Sequence, residues 1–164
     1  MIPKICIRLS LFIMVFLIMV QGCAAADYLT FHGDAQRTGY VADAGPLSEN
    51  IRWSVTPGYI DSSPVVEGDY VYIATIADWN NPEAVPAVFC YDKATGIEVW
   101  SYEIASESGL TLAGDLLIVG GMDGKLYALN KGDGTLAQGE WPVLVDENPG
   151  YFGLSSSPLY YDGL

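Results

Sequence analysis

Cationic residues are scarce in this chain: seven Lys and Arg stand against 20 Asp and Glu, a net charge of −13. Nucleic-acid backbones are held by clusters of Lys and Arg, and anionic membrane surfaces by polybasic segments, so this balance argues against both as partners. Self-repulsion that keeps the chain soluble accounts for the acidity. His32 is the sole histidine, which excludes a multi-histidine metal site and makes it a structural residue. Cysteine is nearly absent from the body: Cys6 and Cys23 belong to the N-terminal segment, so Cys90 stands alone and forms no intramolecular disulfide. It lies in the apolar run Val88-Phe89-Cys90-Tyr91, where nothing lowers its pKa, and reads as a buried, inert thiol. A helical period is missing throughout the body.

What is present begins with a short basic start, Lys4 and Arg8, followed by an apolar stretch from 9 to 20 broken only by Ser10. Twelve residues are too few for a membrane-spanning helix, which needs about 20. This layout reads as a secretory signal over 1–26, the alternative being an uncleaved anchor over 5–26 with Arg8 at the interface. Two processing routes are open. Ala24-Ala25-Ala26 offers an A-x-A cleavage site, whereas Val20-Gln21-Gly22-Cys23 looks like a lipobox that would make Cys23 a lipidated membrane tether. Removing residues 1–26 takes away Lys4 and Arg8, leaving five basic residues against 20 acidic ones and a net charge near −15. The remaining 138 residues suffice for one domain.

The body repeats itself. Gly68-Asp69 precedes Tyr70-Val71-Tyr72-Ile73-Ala74, and Gly114-Asp115 precedes Leu116-Leu117-Ile118-Val119-Gly120, 46 residues later. Asp162-Gly163-Leu164 starts the pattern again, and Asp61-Ser62-Ser63-Pro64-Val65 is matched by Ser155-Ser156-Ser157-Pro158-Leu159. Each unit also ends an apolar run in Asp or Asn and then closes a turn on glycine: Asp92-Lys93-Ala94-Thr95-Gly96 and Asn130-Lys131-Gly132-Asp133-Gly134. Asp and Asn bond their own turn backbone and glycine accepts a positive φ, which is hairpin chemistry.

Four short strands per unit are expected, in the first near 64–66, 70–75, 87–91 and 97–102. The second strand is β-branched and aromatic on both faces, as in a sheet covered from both sides. Radially stacked four-stranded sheets of about 40–50 residues describe a propeller. A two-sheet sandwich is the rival, but it predicts a polar alternation these strands lack. Insertions fall at Ala77 to Pro86, around Gln138 and from Val145 to Gly153, on what should be one binding rim.

The strings Ser-Ser-Pro-Val-Val, Gly-Asp-Tyr-Val-Tyr-Ile and Asp-Lys-Ala-Thr-Gly-Ile-Glu-Val-Trp resemble the pyrroloquinoline-quinone-like (PQQ-like) repeat, over about 28–164. The resemblance implies an all-β fold of PQQ-like β-propeller blades: about two complete four-stranded blades and the start of a third, in an incomplete ring. Its domains would be a signal over 1–26, a lead-in over 27–50 and a partial propeller over 51–164, the chain being a fragment of something longer. In the family, the tryptophan that follows Thr-Gly docks on a neighbouring blade, which implies blade-docking roles for Gly96 and Trp100. Arg52-Trp53-Ser54 resembles the strand that closes the ring, giving Trp53 the same kind of role. The second unit departs from the pattern, with Trp141 seven residues after Gly134 where Trp100 follows Gly96 by four.

The family holds quinone-dependent dehydrogenases and non-catalytic scaffolds such as outer-membrane assembly lipoproteins. The adjacent cysteines typical of its alcohol dehydrogenases are missing, so no cofactor is expected, neither pyrroloquinoline quinone nor calcium, and no catalytic or metal residue is assigned. Asn130 to Gly134 lacks the acidic spacing of a calcium loop and is a turn. Asp78, Glu83, Asp146 and Glu147 read as solvated loop charges, and Trp79, Tyr59, Tyr151 and Phe152 as candidate stacking surfaces. The expected function is a non-catalytic, exported protein-binding or scaffolding module. Its partner would be an envelope or extracellular protein, with self-association through open blade faces. The alternative is a fragment of a PQQ-dependent quinoprotein dehydrogenase.

Overall fold

The computed structural model describes residues 26–41, 45 and 48–163. Cys23 and all of the leader and its processing sites except Ala26 lie outside the described residues. Eight strands form two antiparallel four-stranded sheets. The first contains β1 (Val65–Glu67), β2 (Tyr70–Ala74), β3 (Ala87–Asp92) and β4 (Glu98–Glu103) in sequence order. The second repeats the order with β5 (Thr111–Ala113), β6 (Leu116–Gly120), β7 (Lys125–Asn130) and β8 (Val143–Leu144). These are two propeller blades, which form an open arrangement and no closed ring among the described residues. The strands expected in the first unit are found to within a residue or two at each end.

Register repeats from blade to blade. Val65 faces Tyr72 across β1 and β2, and Thr111 faces Ile118 across β5 and β6. The start of each blade is fastened by a serine: Ser62 Oγ donates to Ala74 O at 3.0 Å, and Ser106 Oγ to Gly120 O at 2.7 Å. The strand register keeps the 46-residue period of the sequence, while the serine that fastens each blade lies 12 residues before its acceptor in the first and 14 in the second.

The core lies between the sheets. Val65, Tyr72, Ala74, Val88, Cys90 and Trp100 from the first blade form one cluster with Leu110, Leu112, Leu117, Val119 and Leu129 from the second. Leu117, Val119 and Leu129 have no exposed surface, and each contributes about 1.5–3 kcal/mol by leaving water. The outward faces are apolar too. Phe89 and Tyr91 lie under Trp53 and the 55–57 segment, while Leu116, Ile118 and Leu126 line a half-open cavity flanked by Trp141 and residues 158–160. Two-sided apolar cover separates this arrangement from a sandwich.

The blades differ at their last strand. In the first, Cys90 faces Trp100 across β3 and β4. In the second, Leu129 bridges Leu136 as Tyr91 pairs with Glu98, and Ala137 N donates to Ala128 O, so by distance from the turn glycine Gln138 stands at the place of Trp100. The chain then leaves the edge near Gln138 and returns only for the two residues of β8. The third unit, 155–163, forms no strand among the described residues.

Candidate functional site

Three features stand out: the tryptophan sockets, the inner edge and the loop end. Each socket is the Asx-Lys-x-x-Gly turn of one blade holding an indole from the preceding segment. Asp92 Oδ1 accepts from Thr95 N at 2.8 Å and Thr95 Oγ1 at 2.7 Å, which shapes the first turn. These bonds hold the Asp92 carboxyl below the usual aspartate range. Gly96 (φ 72) and Gly134 (φ 73) complete the two turns, and glycine is required twice over. A Cβ on Gly96 would come within 2.6 Å of the Trp53 ring, and one on Gly134 within 2.5 Å of the Trp100 ring. Trp53 Nε1 donates to Lys93 O at 2.8 Å and Trp100 Nε1 to Lys131 O at 3.0 Å, the same bond in both sockets. Gly96 therefore receives Trp53, and Trp100 belongs to the next blade's socket. Sequence reading could have found Gly134 as the partner of Trp100 from the shared turn spacing. Trp141 takes no such position and lines the outer cavity instead.

The lead-in runs along the inner edge of both blades. Tyr28 and Val66 exchange two backbone bonds of 2.7 Å, and Leu112 N donates to Leu29 O at 2.8 Å. Thr30 and Thr111 hydroxyls bond at 2.8 Å, and Thr111 Oγ1 reaches Pro158 O at 2.8 Å. Arg37 then donates to Ser157 O at 2.7 Å. Strands β1 and β5 and the third unit thus converge on residues 27–40. His32 bonds through Nδ1 to Arg37 O at 3.2 Å and packs against the Phe31 ring at 4.1 Å, the two rings tilted by 36°.

The loop end carries the β2–β3, β4–β5 and β6–β7 connections. Thr75 Oγ1 accepts from Ala87 N at 2.9 Å and donates to Ala87 O at 3.2 Å, clamping the base of the first inserted loop. Beyond it, Trp79 and Tyr59 meet edge to face at 6.2 Å, with Trp79 68% exposed. Tyr151 and Phe152 form a second edge-to-face pair at 5.1 Å, 66% and 60% exposed. Their loop is tied to the β6–β7 connection, where Leu154 N donates to Gly121 O at 3.1 Å. Asp78 and Asp146 use their carboxylates to cap local turns, accepting from Asn80 N and Asn148 N at 2.8 Å each.

Among the described residues, no group of three or more His, Cys, Asp and Glu is placed to hold a metal. Burial pushes the Cys90 thiol up to about 11, and Cys90 lies between the sheets at 1% exposure.

Four-stranded antiparallel blades, stacked face to face and locked by an indole on the next blade's glycine turn, define a β-propeller repeat protein. Residues 37–163 match the family described as "Outer membrane protein assembly factor BamB" (PQQ_2), and the chain belongs to that family. Among solved structures, the chain is similar to a quinohemoprotein alcohol dehydrogenase from Comamonas testosteroni, with a TM-score of 0.55 and 20% identity. That match covers 75% of this chain and 20% of the dehydrogenase. BamB from Moraxella catarrhalis is matched with a TM-score of 0.31 and 17% identity, over 49% of this chain and 32% of that one. The chain thus spans about a fifth and a third of these two proteins. No curated protein matches.

Proposed function

We propose that this chain is a non-catalytic, exported propeller-repeat module that binds another protein at the cell envelope. The observation that carries this reading is the pair of exposed aromatic couples at one end, Tyr59 with Trp79 and Tyr151 with Phe152. Aromatic side chains held on clamped loops are the usual anchors of protein interfaces, where they add large contact area at little entropic cost. The leader layout of 1–26 supports export, and the family's description, an outer-membrane assembly factor, supports an envelope setting. The dehydrogenase likeness, at 20% identity, concerns the fold and lends no support to the enzyme alternative.

Site-specific photo-crosslinking in cells tests the reading. A crosslinker at Trp79 or Tyr151 should capture one discrete envelope protein, and one at Ile97, equally exposed on the outer edge, should not. Equal capture at all three positions, or none, would overturn it. Membrane tethering through Cys23 belongs to the same proposal: Cys23→Ala should release the protein from membranes, and an unchanged distribution assigns simple secretion. Self-association through the sheet faces is proposed from the apolar cavity of Leu116, Ile118, Leu126 and Trp141. Sedimentation of a single monomeric species at all concentrations would remove it.

A further inference from the structure

At the loop end of the inner edge, the lead-in and three successive units line an open cleft of about 340 Å³, with Arg37 and Asp61 exposed at its rim, Glu107 half-buried, and the serines of 155–157 beside them. Each charged group there is held by fastened neighbours. Arg37 sits at φ 55, donates through one guanidinium nitrogen to Ser157 O at 2.7 Å and lies over the Phe31 ring at 5.9 Å. A non-glycine residue in this left-handed region is sparsely populated backbone, of a kind that clusters at ligand clamps. Glu107 lies between Ser106 and Ser108, both fully buried; Ser106 Oγ donates to Gly120 O at 2.7 Å and Ser108 Oγ to Ser156 O at 3.0 Å. Asp61 precedes Ser62, whose Oγ is bonded to both Ala74 N and Ala74 O.

The guanidinium and the two carboxylates nonetheless do not pair. Among the described residues, the ion pairs are Lys125 with Asp123 and Lys131 with Glu67 and Asp115. Opposite charges that line one cavity while standing apart leave room for a molecule that bridges them. One guanidinium and two carboxylates complement one carboxylate and two cationic groups, and the serine hydroxyls supply further hydrogen bonds.

We infer that this cavity binds an α-amino acid unit with a cationic side chain: its carboxylate on Arg37, its amino group and side-chain cation on Asp61 and Glu107. The inference does not depend on the protein-binding role proposed above. Free lysine presents all three groups, whereas the lysine that ends a peptide keeps the carboxylate and the side-chain cation but has no α-ammonium.

Titration calorimetry on the full exported chain tests it with L-lysine, cadaverine, L-glutamate and the tripeptide Ala-Ala-Lys. L-lysine should bind saturably, and cadaverine, without a carboxylate, about tenfold more weakly or worse, the scale of one lost charge-assisted bond. L-glutamate should not bind. Arg37→Gln should bring L-lysine down to the cadaverine level while leaving cadaverine unchanged. Glu107→Gln and Asp61→Asn, which keep side-chain shape, should each weaken L-lysine about tenfold. Glu98→Gln, on the outer edge strand, controls for net charge and should change nothing. Weaker binding of Ala-Ala-Lys than of L-lysine supports the place given to the α-ammonium, and binding as tight or tighter overturns it. No saturable heat with either up to about 10 mM overturns the site. An equal loss in Glu98→Gln, or none in both Glu107→Gln and Asp61→Asn, overturns it as well.

Discussion

Replacing Trp100 with alanine removes an indole that is 8% exposed, packed on Gly134 and 5.9 Å from the Tyr72 ring. Deleting a buried aromatic costs about 3–5 kcal/mol, because the cavity left behind collapses only in part. The polar share can be separated. Trp100→Phe keeps most of the ring but drops the 3.0 Å bond to Lys131 O, which retains only the Tyr72 hydroxyl at 3.3 Å. That change should cost about 1 kcal/mol from the hydrogen bond, with any loss of ring contact added to it. Trp79, mostly in water, should cost about 0.5 kcal/mol or less on truncation. Urea denaturation followed by circular dichroism ranks the three: Trp100→Ala well below wild type, Trp100→Phe slightly below, Trp79→Ala unchanged. If Trp79→Ala and Trp100→Ala shift the midpoint equally at unchanged slope, the socket does not carry the blade interface.

Gly134→Ala should cost more than Gly114→Ala, although both sit at positive φ, because only the first drives a methyl into a ring. The backbone share is about 1–2 kcal/mol in each and overpacking adds about 1–3 in the first; equal urea midpoints would refute the contact. Cys90, with its pKa raised to about 11 by burial, should resist a thiol reagent at pH 8 in the folded chain and react promptly once unfolded. A native rate equal to the unfolded one would place the thiol at the surface. The Asp92 and Asp133 carboxyls are held below the ordinary aspartate range by bonds from Thr95 and Thr135. Their stabilising contribution is therefore present above the unfolded aspartate value and lost as pH falls through the lowered folded values. NMR titration should find both below free aspartate, and Thr95→Val and Thr135→Val should each raise the neighbouring value; unchanged titrations would show that the hydroxyls are not responsible.

The repeat was readable because each blade is built from local signals. Gly68 and Gly114 mark the first hairpin of each unit, Asp92 and Asn130 the second, and the residues between alternate too little in polarity to face water on one side. The spacing of Trp141 from Gly134 also gave warning, since an extra three residues cannot keep the β3–β4 register. The inner edge was not readable. Thr30 and Thr111 lie 81 residues apart and Arg37 and Ser157 120 apart, and nothing local in Thr30 or Arg37 names a partner at such a distance. The lead-in therefore read as a separate stretch ahead of the blades, when it is bonded to both of them. The candidate cavity shared that fate, because Arg37, Asp61 and Glu107 belong to three different segments and only the folded edge brings them together.

The direction of the lead-in has a consequence for how the molecule would stand on a surface. Asp27 Oδ1 accepts from Gly68 N at 2.8 Å, at the β1–β2 turn, and the chain then runs from there toward the loop end. Anything attached before Asp27 must leave beside the tight hairpin turns. Cys23 is four residues upstream, a leash of at most about 14 Å when fully extended. A lipid there would seat the blades upright on their hairpin turns, the acidic and aromatic loops uppermost and the Arg37 cavity opening away from the bilayer.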